Sequence, residues 1–296
     1  MKQTRRSILI FMAPAVILML SVFFYPALRT TAMSLFGVPR VTTPVSDWTF
    51  KGLQNFIDLF NTPLFVTSLL NILKIWVYCG IVTIFLSLVF AVAFTTQLRF
   101  KKFFRAIVYL PNVIAAIAIG YMWLLYVYNS NFGLLHNLFT KLGWESMAEF
   151  GWLSTDHLFL SMCIANVFGN VGYFMMMYIA GIEKIPLDYY EAATIEGANV
   201  FQQFRHITMP LIKGVFATSA VLWTTRTVGF FALSQVFKGV QTYTPMLFTY
   251  ETLFGTEFTV DINAGTAAAA AVVMTVTVVI ISSLINHCIK DETYEL

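Results

Sequence analysis

Residues 188–214 read DYYEAATIEGANVFQQFRHITMPLIKG, the one place where acidic and basic side chains gather between two long apolar runs. The flanking runs, 158–182 and 211–231, are each long enough to cross a bilayer, which takes about 20 mostly apolar residues. The rest of the chain shares their bias. Of its 296 residues 58% are hydrophobic and 11% charged, where soluble domains carry roughly 25% charged residues. So much apolar surface has no place to hide from water, and the bilayer is its solvent. Six spans are predicted, at 8–28, 65–96, 106–128, 158–182, 211–231 and 265–287. The fold class is all-α integral membrane, one transmembrane domain over 1–296. The opening MKQTRRSILIF lacks a small-residue cleavage site, and the apolar run continues past Pro14 to Tyr25. It reads as a retained first helix rather than a leader.

Lysine and arginine orient the spans, because positive charge stays on the cytoplasmic side. With the N-terminus inside, eleven fall on the inner side: Lys2, Arg5, Arg6, Arg99, Lys101, Lys102, Arg105, Lys184, Arg205, Lys213 and Lys290. Five fall outside, namely Arg29, Arg40, Lys51, Lys141 and Lys238, and two, Lys74 and Arg226, lie within spans. Both termini are therefore expected in the cytoplasm, and the 188–214 stretch with them. Trp48, Trp144 and Trp152 in the outer segments suit the interfacial aromatic belt. The run Ala267–Ala271 offers small side chains for close helix approach.

The insert itself predicts two short helices. Pro186 suits the first turn of a helix over 187–196, which puts Tyr190, Ala193 and Gly197 on one face. Gly197 breaks it. Asn199 with Gln202 forms a capping-box pattern for a second helix over 200–206, which Pro210 ends before the fifth span. The expected picture is a helix–turn–helix lying on the cytoplasmic face, with Ala192, Ala193, Gly197 and Ala198 making a shallow surface and Glu191 free to pair with a basic group.

Several chemistries are excluded. Cys79, Cys163 and Cys288 lie far apart within or beside apolar runs and read as packing residues, and the four histidines have no ligand spacing, so no metal is expected. A net charge of +3 in short scattered clusters does not suit nucleic acid. There is no phosphate-binding glycine loop, nucleophile elbow, HExxH or clustered carboxylate pair. The chain is not expected to be an enzyme or to bind a cofactor.

EAATIEGANVFQQFRHITMPLI closely resembles the EAA loop of permease subunits of binding-protein-dependent ABC importers, in their carbohydrate branch. The resemblance spans nearly the whole chain. FMAPAVILMLSVFFYPALRTTAMSLF, FKGLQNF, FFRAIVYLPNVIAAIAIGYMWLLYVYNSNFGLLHNLF and AGIEKIPLDYYEAA follow the order and spacing of the maltose and glycerol-phosphate type. FKGVQTYTP and VDINAGTAAA depart from it, where many relatives carry Gly-Gly-Pro and Phe-Gly-Tyr-Ala. The resemblance implies a type I importer permease fold and a coupling loop over 183–210 that docks on a separate ATPase. Carried over, Glu191 meets a basic group of that ATPase while Ala192, Ala193, Gly197 and Ala198 allow close approach. It further implies a second related permease in a heterodimer, two ATP-binding subunits that hold ATP and magnesium, an extracytoplasmic solute-binding protein, and a sugar, expected to be an oligosaccharide. Outer segments 129–156 and 241–261 are the expected docking surface for the binding protein.

A substrate path needs polar groups on inward faces. Asn166, Asn170 and Tyr173 recur at i, i+4, i+7, with Met177 continuing the stripe; bonds that merely hold the bundle are the structural alternative. Ser219, Trp223, Arg226 and Phe230 are predicted to share a face of the fifth span, where aromatic rings beside hydrogen-bonding groups suit a sugar. Arg226 lies fifteen residues into that span, roughly 22 Å at ~1.5 Å per residue. A charge there costs ~3 kcal/mol or more, so it must face a cavity or a partner. A carboxylate or phosphate of an acidic substrate, such as a uronic-acid oligosaccharide, would satisfy it; so would an ion pair or a carbonyl of the second permease. Lys74 is close enough to the outer end of its helix to snorkel, with Asn71 and Tyr78 on its face to satisfy it. An ion-coupled secondary transporter is the rival reading. It calls for acidic or polar ion sites in discontinuous spans and for inverted repeats; no span carries a central acid and no repeat is evident.

Overall fold

A computed structural model describes residues 2–96, 98–255 and 262–288, with side chains from Phe11 onward. Lys290, the end of the 241–261 segment and the side chains of Lys2, Arg5 and Arg6 lie outside the described residues. The first half of the chain contains α1 (2–33), a two-stranded hairpin of β1 (Phe36–Gly37) and β2 (Thr49–Phe50), α2 (Gln54–Asn61), α3 (Pro63–Thr95), α4 (Lys101–Val113), α5 (Ala116–Val127), α6 (Leu134–Lys141) and α7 (Glu145–Ala148). There follow α8 (Leu158–Ile182), α9 (Leu187–Ile195), α10 (Val200–Leu211), α11 (Lys213–Val228), α12 (Ala232–Val236), α13 (Pro245–Phe254) and α14 (Ala264–Cys288).

Four stretches are straight, long and apolar enough to cross a membrane: Phe11–Met33 within α1, α3, α8 and α14. The predicted fourth span coincides with α8. Two predicted spans are broken instead. The third, expected as one helix over 106–128, is α4 and α5 bent by 98°. Ile114 and Ala115 between them are extended, and Pro111 in the last turn of α4 has no amide to donate. The fifth, expected over 211–231, stops at Gly229 and resumes as α12, while α10 meets the helix that follows at 71°.

Nor does Pro210 end its helix. A π-helical turn over Phe204–Thr208 precedes it, in which Met209 donates to the Phe204 carbonyl five residues back, and the helix runs on to Leu211. The wider turn absorbs the donor that proline lacks. The bend falls at Ile212.

The chain forms two compact units, one running to Val66 and resuming over Phe248–Val276, the other covering Thr67–Leu247 and continuing from Thr277. In the first, β1 and β2 pair antiparallel with Phe36 opposite Phe50. Buried Asn55 donates to the carbonyls of Ser34 (2.9 Å) and Phe36 (2.8 Å), pinning the hairpin to α2. Met33, Val38, Ala264 and Ala268 form its core. A Cβ on Gly265 would come within 2.5 Å of the Phe36 carbonyl, so the small residues of α14 serve close approach to backbone.

In the second unit α8 is the central post. Ser87 of α3 donates to the Val171 carbonyl at 2.8 Å. Gly172 faces the backbone of α4, where any Cβ would collide with the Val108 carbonyl oxygen and lie 2.6 Å from the Tyr109 Cα. Tyr178 and Ser219 share a buried hydroxyl–hydroxyl bond from α8 to α11. Asn71 does not serve Lys74 as expected. It donates to the carbonyls of Val240 (2.7 Å) and Tyr243 (3.0 Å) and is buried, while Lys74 and Tyr78 are exposed.

Candidate functional site

The two breaks wall one cleft. Its volume is about 350 Å³, and its lining runs through Pro111–Ile119 at the α4–α5 bend, Ala165–Asn170 of α8, and Trp223–Leu233 across the end of α11. Of the predicted pathway residues, Asn166, Asn170, Trp223, Arg226 and Phe230 line it. Tyr173 lies beneath Arg226, whose guanidinium carbon sits 3.8 Å from the ring centroid. Ser219 does not reach the cleft, being fully buried against Tyr178. Phe230 does not share a helical face with Arg226, because α11 has already ended.

That ending explains how an arginine is tolerated here. Arg226 is in the last turn of α11, where unsatisfied carbonyls favour a cation. Its Nη1 donates to Asn170 Oδ1 at 3.0 Å. Among the described residues the one ion pair is Arg105–Glu183, so no described carboxylate neutralises it. Across the cleft α5 begins at Ala116, so the positive end of its dipole lies at the cleft.

Trp223 is held rigidly. Its indole donates to the Trp76 carbonyl at 2.9 Å, in a π-helical turn of α3, while the Trp76 indole donates to Thr224 Oγ1 at 2.9 Å. Phe174 meets it edge-on, and Gly80 lies so close that a Cβ there would collide with its indole nitrogen. Asn112, Thr227 and Phe231 also line the cleft and escaped the sequence reading. The available signal was Pro111–Asn112 and Gly229 interrupting apolar runs, the pattern of a discontinuous span.

The insert holds its residues differently. Pro186 is the N-cap of α9, Asp188 sits in the first turn, and Gly197 takes φ +82, the left-handed conformation that closes the helix. The Asn199–Gln202 capping box forms at both bonds, 2.9 and 2.8 Å. Tyr190 bonds Thr208 at 2.9 Å, and Gln203 donates to Thr194 at 3.0 Å and the Ala198 carbonyl at 3.2 Å, so α9 and α10 are tied to each other. Glu191, Ala192 and Gly197 are exposed, Ala193 and Ala198 half-buried. A hollow of about 380 Å³ follows Ala193–Ala198 and Gln202–Ile207. Ile195 is 85% exposed and Phe201 69%, a large apolar surface for a segment with this much charge. At its root Arg105 spans three elements, donating to Glu183 (2.8 Å) and to the Phe94 carbonyl (2.7 Å) at the end of α3.

Residues 83–290 match the family described as the binding-protein-dependent transport system inner membrane component. The chain belongs to this family. As a member it is a multi-pass inner-membrane component of an ABC transporter. The probable ABC transporter permease protein YurN of Bacillus subtilis is 32% identical over 216 residues, 72% of each chain. The probable starch degradation products transport system permease protein AmyD of Thermoanaerobacterium thermosulfurigenes is 32% identical over 211 residues, 71% of this chain and 69% of that one. The crystal structure of a bacterial ABC transporter involved in the import of the acidic polysaccharide alginate superposes at a TM-score of 0.78, covering 99% of this chain and 98% of that chain. At 19% identity that likeness speaks to the fold.

Proposed function

We propose that this permease carries an oligosaccharide bearing uronic-acid units across the cytoplasmic membrane, in an importer driven by a separate ATPase. The observation that carries the reading is Arg226, a guanidinium in a membrane-embedded helix, presented at a cleft and paired with no described carboxylate. The cleft's other features agree with a sugar acid. Phe230 and Phe231 offer apolar faces for pyranose C–H groups, half-buried Asn112 offers polar atoms for hydroxyls, buried Trp223 and Thr227 floor the cleft, and the start of α5 adds positive potential. The relation to AmyD supports an oligosaccharide as the cargo; the acidic group rests on Arg226 alone.

Coupling runs through the insert, with 183–210 on the cytoplasmic side. Glu191 pairs with a basic group of the ATPase, and Ala192, Ala193, Gly197 and Ala198 admit its surface. Closure of the ATPase dimer, which holds ATP and magnesium, pushes α9 and α10 as one body because Tyr190, Gln203 and Thr208 lock them together. The motion passes along α8 and α11, whose far portions frame the cleft. A second related permease completes the pathway as a heterodimer, and an extracytoplasmic solute-binding protein delivers the sugar to segments 129–156 and 241–261. The exposed apolar faces of α1 and α4 leave room for that second subunit and for lipid.

The test is ATP hydrolysis by the reconstituted importer with its binding protein, given matched neutral and uronic-acid oligosaccharides. Stimulation by the acidic set, lost in Arg226→Gln, is the expected result. Stimulation by neutral sugars alone would make Arg226 structural, and failure of any ATPase to assemble with the chain would reopen the ion-coupled alternative.

A further inference from the structure

We infer that Asn170 is a positioning residue which holds Arg226 at the cleft without neutralising it, and so sets the importer's preference for an acidic over a neutral sugar. This rests on the function proposed above.

The direction of every hydrogen bond here follows from the charge. A guanidinium donates and never accepts, so Arg226 fixes Asn170 with its carbonyl oxygen toward Nη1, at 3.0 Å. The Asn170 amide nitrogen must then point the other way, and there it finds two acceptors on α8 one turn back: the Asn166 main-chain carbonyl and the Asn166 Oδ1, both at 2.9 Å. Asn166 is thereby oriented too, oxygen toward Asn170. Its own Nδ2 is left buried with no hydrogen-bond partner, and the residue is only 5% exposed. Each amide has one orientation that the chain of donors permits. Asn170, with both ends committed, acts on a ligand through Arg226.

The neutrality of this grip is the functional point. The other groups on Arg226 are rings, Tyr173 at 3.8 Å and Phe174 at 5.9 Å, which hold a cation without cancelling its charge. One of the five guanidinium N–H donors is engaged by Asn170, and a carboxylate can take two others side by side. An aspartate at 170 would keep the bond to Arg226 but occupy the charge, and it would set its second oxygen against the Asn166 carbonyl. Asparagine supplies the same reach with no charge. If Asn170 were only a fastener between α8 and α11, losing it would weaken all sugars alike; if it preserves a charge for the ligand, an added negative charge must strike the acidic sugar selectively.

The two cases separate in the assembled importer in nanodiscs, without binding protein, so that selection upstream does not enter. The probes are a uronic-acid oligosaccharide and the same oligosaccharide after carboxyl reduction, compared by equilibrium binding. The unmodified importer is expected to prefer the acid about tenfold or more, a preference that declines with salt. Asn170→Asp, nearly isosteric, is expected to bring the ratio of the two affinities close to unity, weakening the acid far more than the reduced sugar. Asn170→Ala, which removes the tie without adding charge, is expected to lower the preference for the acid without abolishing it. An Asn170→Asp importer with the original ratio overturns the inference, as does an equal loss of both sugars in Asp and Ala variants. Arg226→Gln distinguishes the levels: if it abolishes the preference while Asn170→Asp does not, this inference fails and the proposed substrate stands. If the unmodified importer shows no preference, the acidic substrate fails and this inference with it; if Arg226→Gln keeps the preference, the acid is read elsewhere and this inference fails while the substrate stands.

Discussion

The cleft and the insert solve opposite problems with the same residue types. In the cleft, polar side chains drawn from three separate stretches lie beside apolar ones, with Arg226 exposed, and the bonds of Asn170 are dictated by its neighbours. In the insert, polar groups knit two short helices internally, through Tyr190, Gln203 and Asn199, and leave apolar Ile195 and Phe201 facing outward. One region presents a charge inside a nonpolar surround; the other presents a nonpolar surface inside a charged one. Each exposes what its own solvent disfavours, and that mismatch is the reason both are proposed as binding surfaces.

The largest effect expected from this contrast is at the insert. Ala193→Trp places an indole on the hollow formed with Glu196, Gly197 and Ala198. Sugar-stimulated ATP hydrolysis should fall about a hundredfold, the scale of a blocked interface hot spot. Sugar binding by the importer should be unchanged, because the cleft uses none of these residues. Hydrolysis assays and co-purification of the ATPase on the variant read the two halves separately. Full stimulation with tryptophan at 193 would remove the hollow from the docking surface.

The middle effect strikes the cleft from behind. Gly80 is a glycine because the Trp223 indole lies against it. Gly80→Val must displace that ring and break its bond to the Trp76 carbonyl, an overpacking cost of about 1–3 kcal/mol. Sugar binding is expected to weaken about tenfold, with Trp223 fluorescence shifted toward that of a wetter indole, while the insert keeps its grip on the ATPase. Unaltered affinity together with a shifted indole spectrum would show that Trp223 only packs.

These two regions also differed in how far they could be read beforehand. The capping box at Asn199 and Gln202 and the turn at Gly197 are local rules acting over four or five residues, and they formed as written. Asn166, Asn170 and Tyr173 were legible because α8 is unbroken and helical spacing holds along it. The cleft's other walls were only faintly marked. An apolar run has the same composition whether it is straight or bent by 98°, and proline and glycine, the residue types that mark the breaks at Pro111 and Gly229, also occur within unbroken spanning helices. The fifth span was likewise drawn through Gly229, so Phe230 was set on a helix that had already ended. Gly80 beneath Trp223, and Arg105 joining Glu183 to Phe94, are tertiary facts with no trace in spacing. Arg226 was the exception. A charge in an apolar run announces its own site.

The smallest expected effect tests whether the insert's rigidity comes from its caps or from its cross-ties. Asn199→Ala removes the capping-box bond that the Asn199 side-chain oxygen accepts from the Gln202 amide, leaving the reciprocal bond from the residue-199 amide to Gln202 Oε1. The loss is worth about 1 kcal/mol. Hydrogen exchange at the amides of residues 200–203 should therefore quicken about fivefold, with exchange in α9 unaffected. The Tyr190–Thr208 bond lies outside the first turn and still joins the two helices, so hydrolysis and transport should remain coupled at near the original ratio. If that small change instead uncoupled them, the first turn of α10 would itself be the contact that the ATPase pushes. The shallow surface at Ala193 and Gly197 would then be its neighbour rather than its seat.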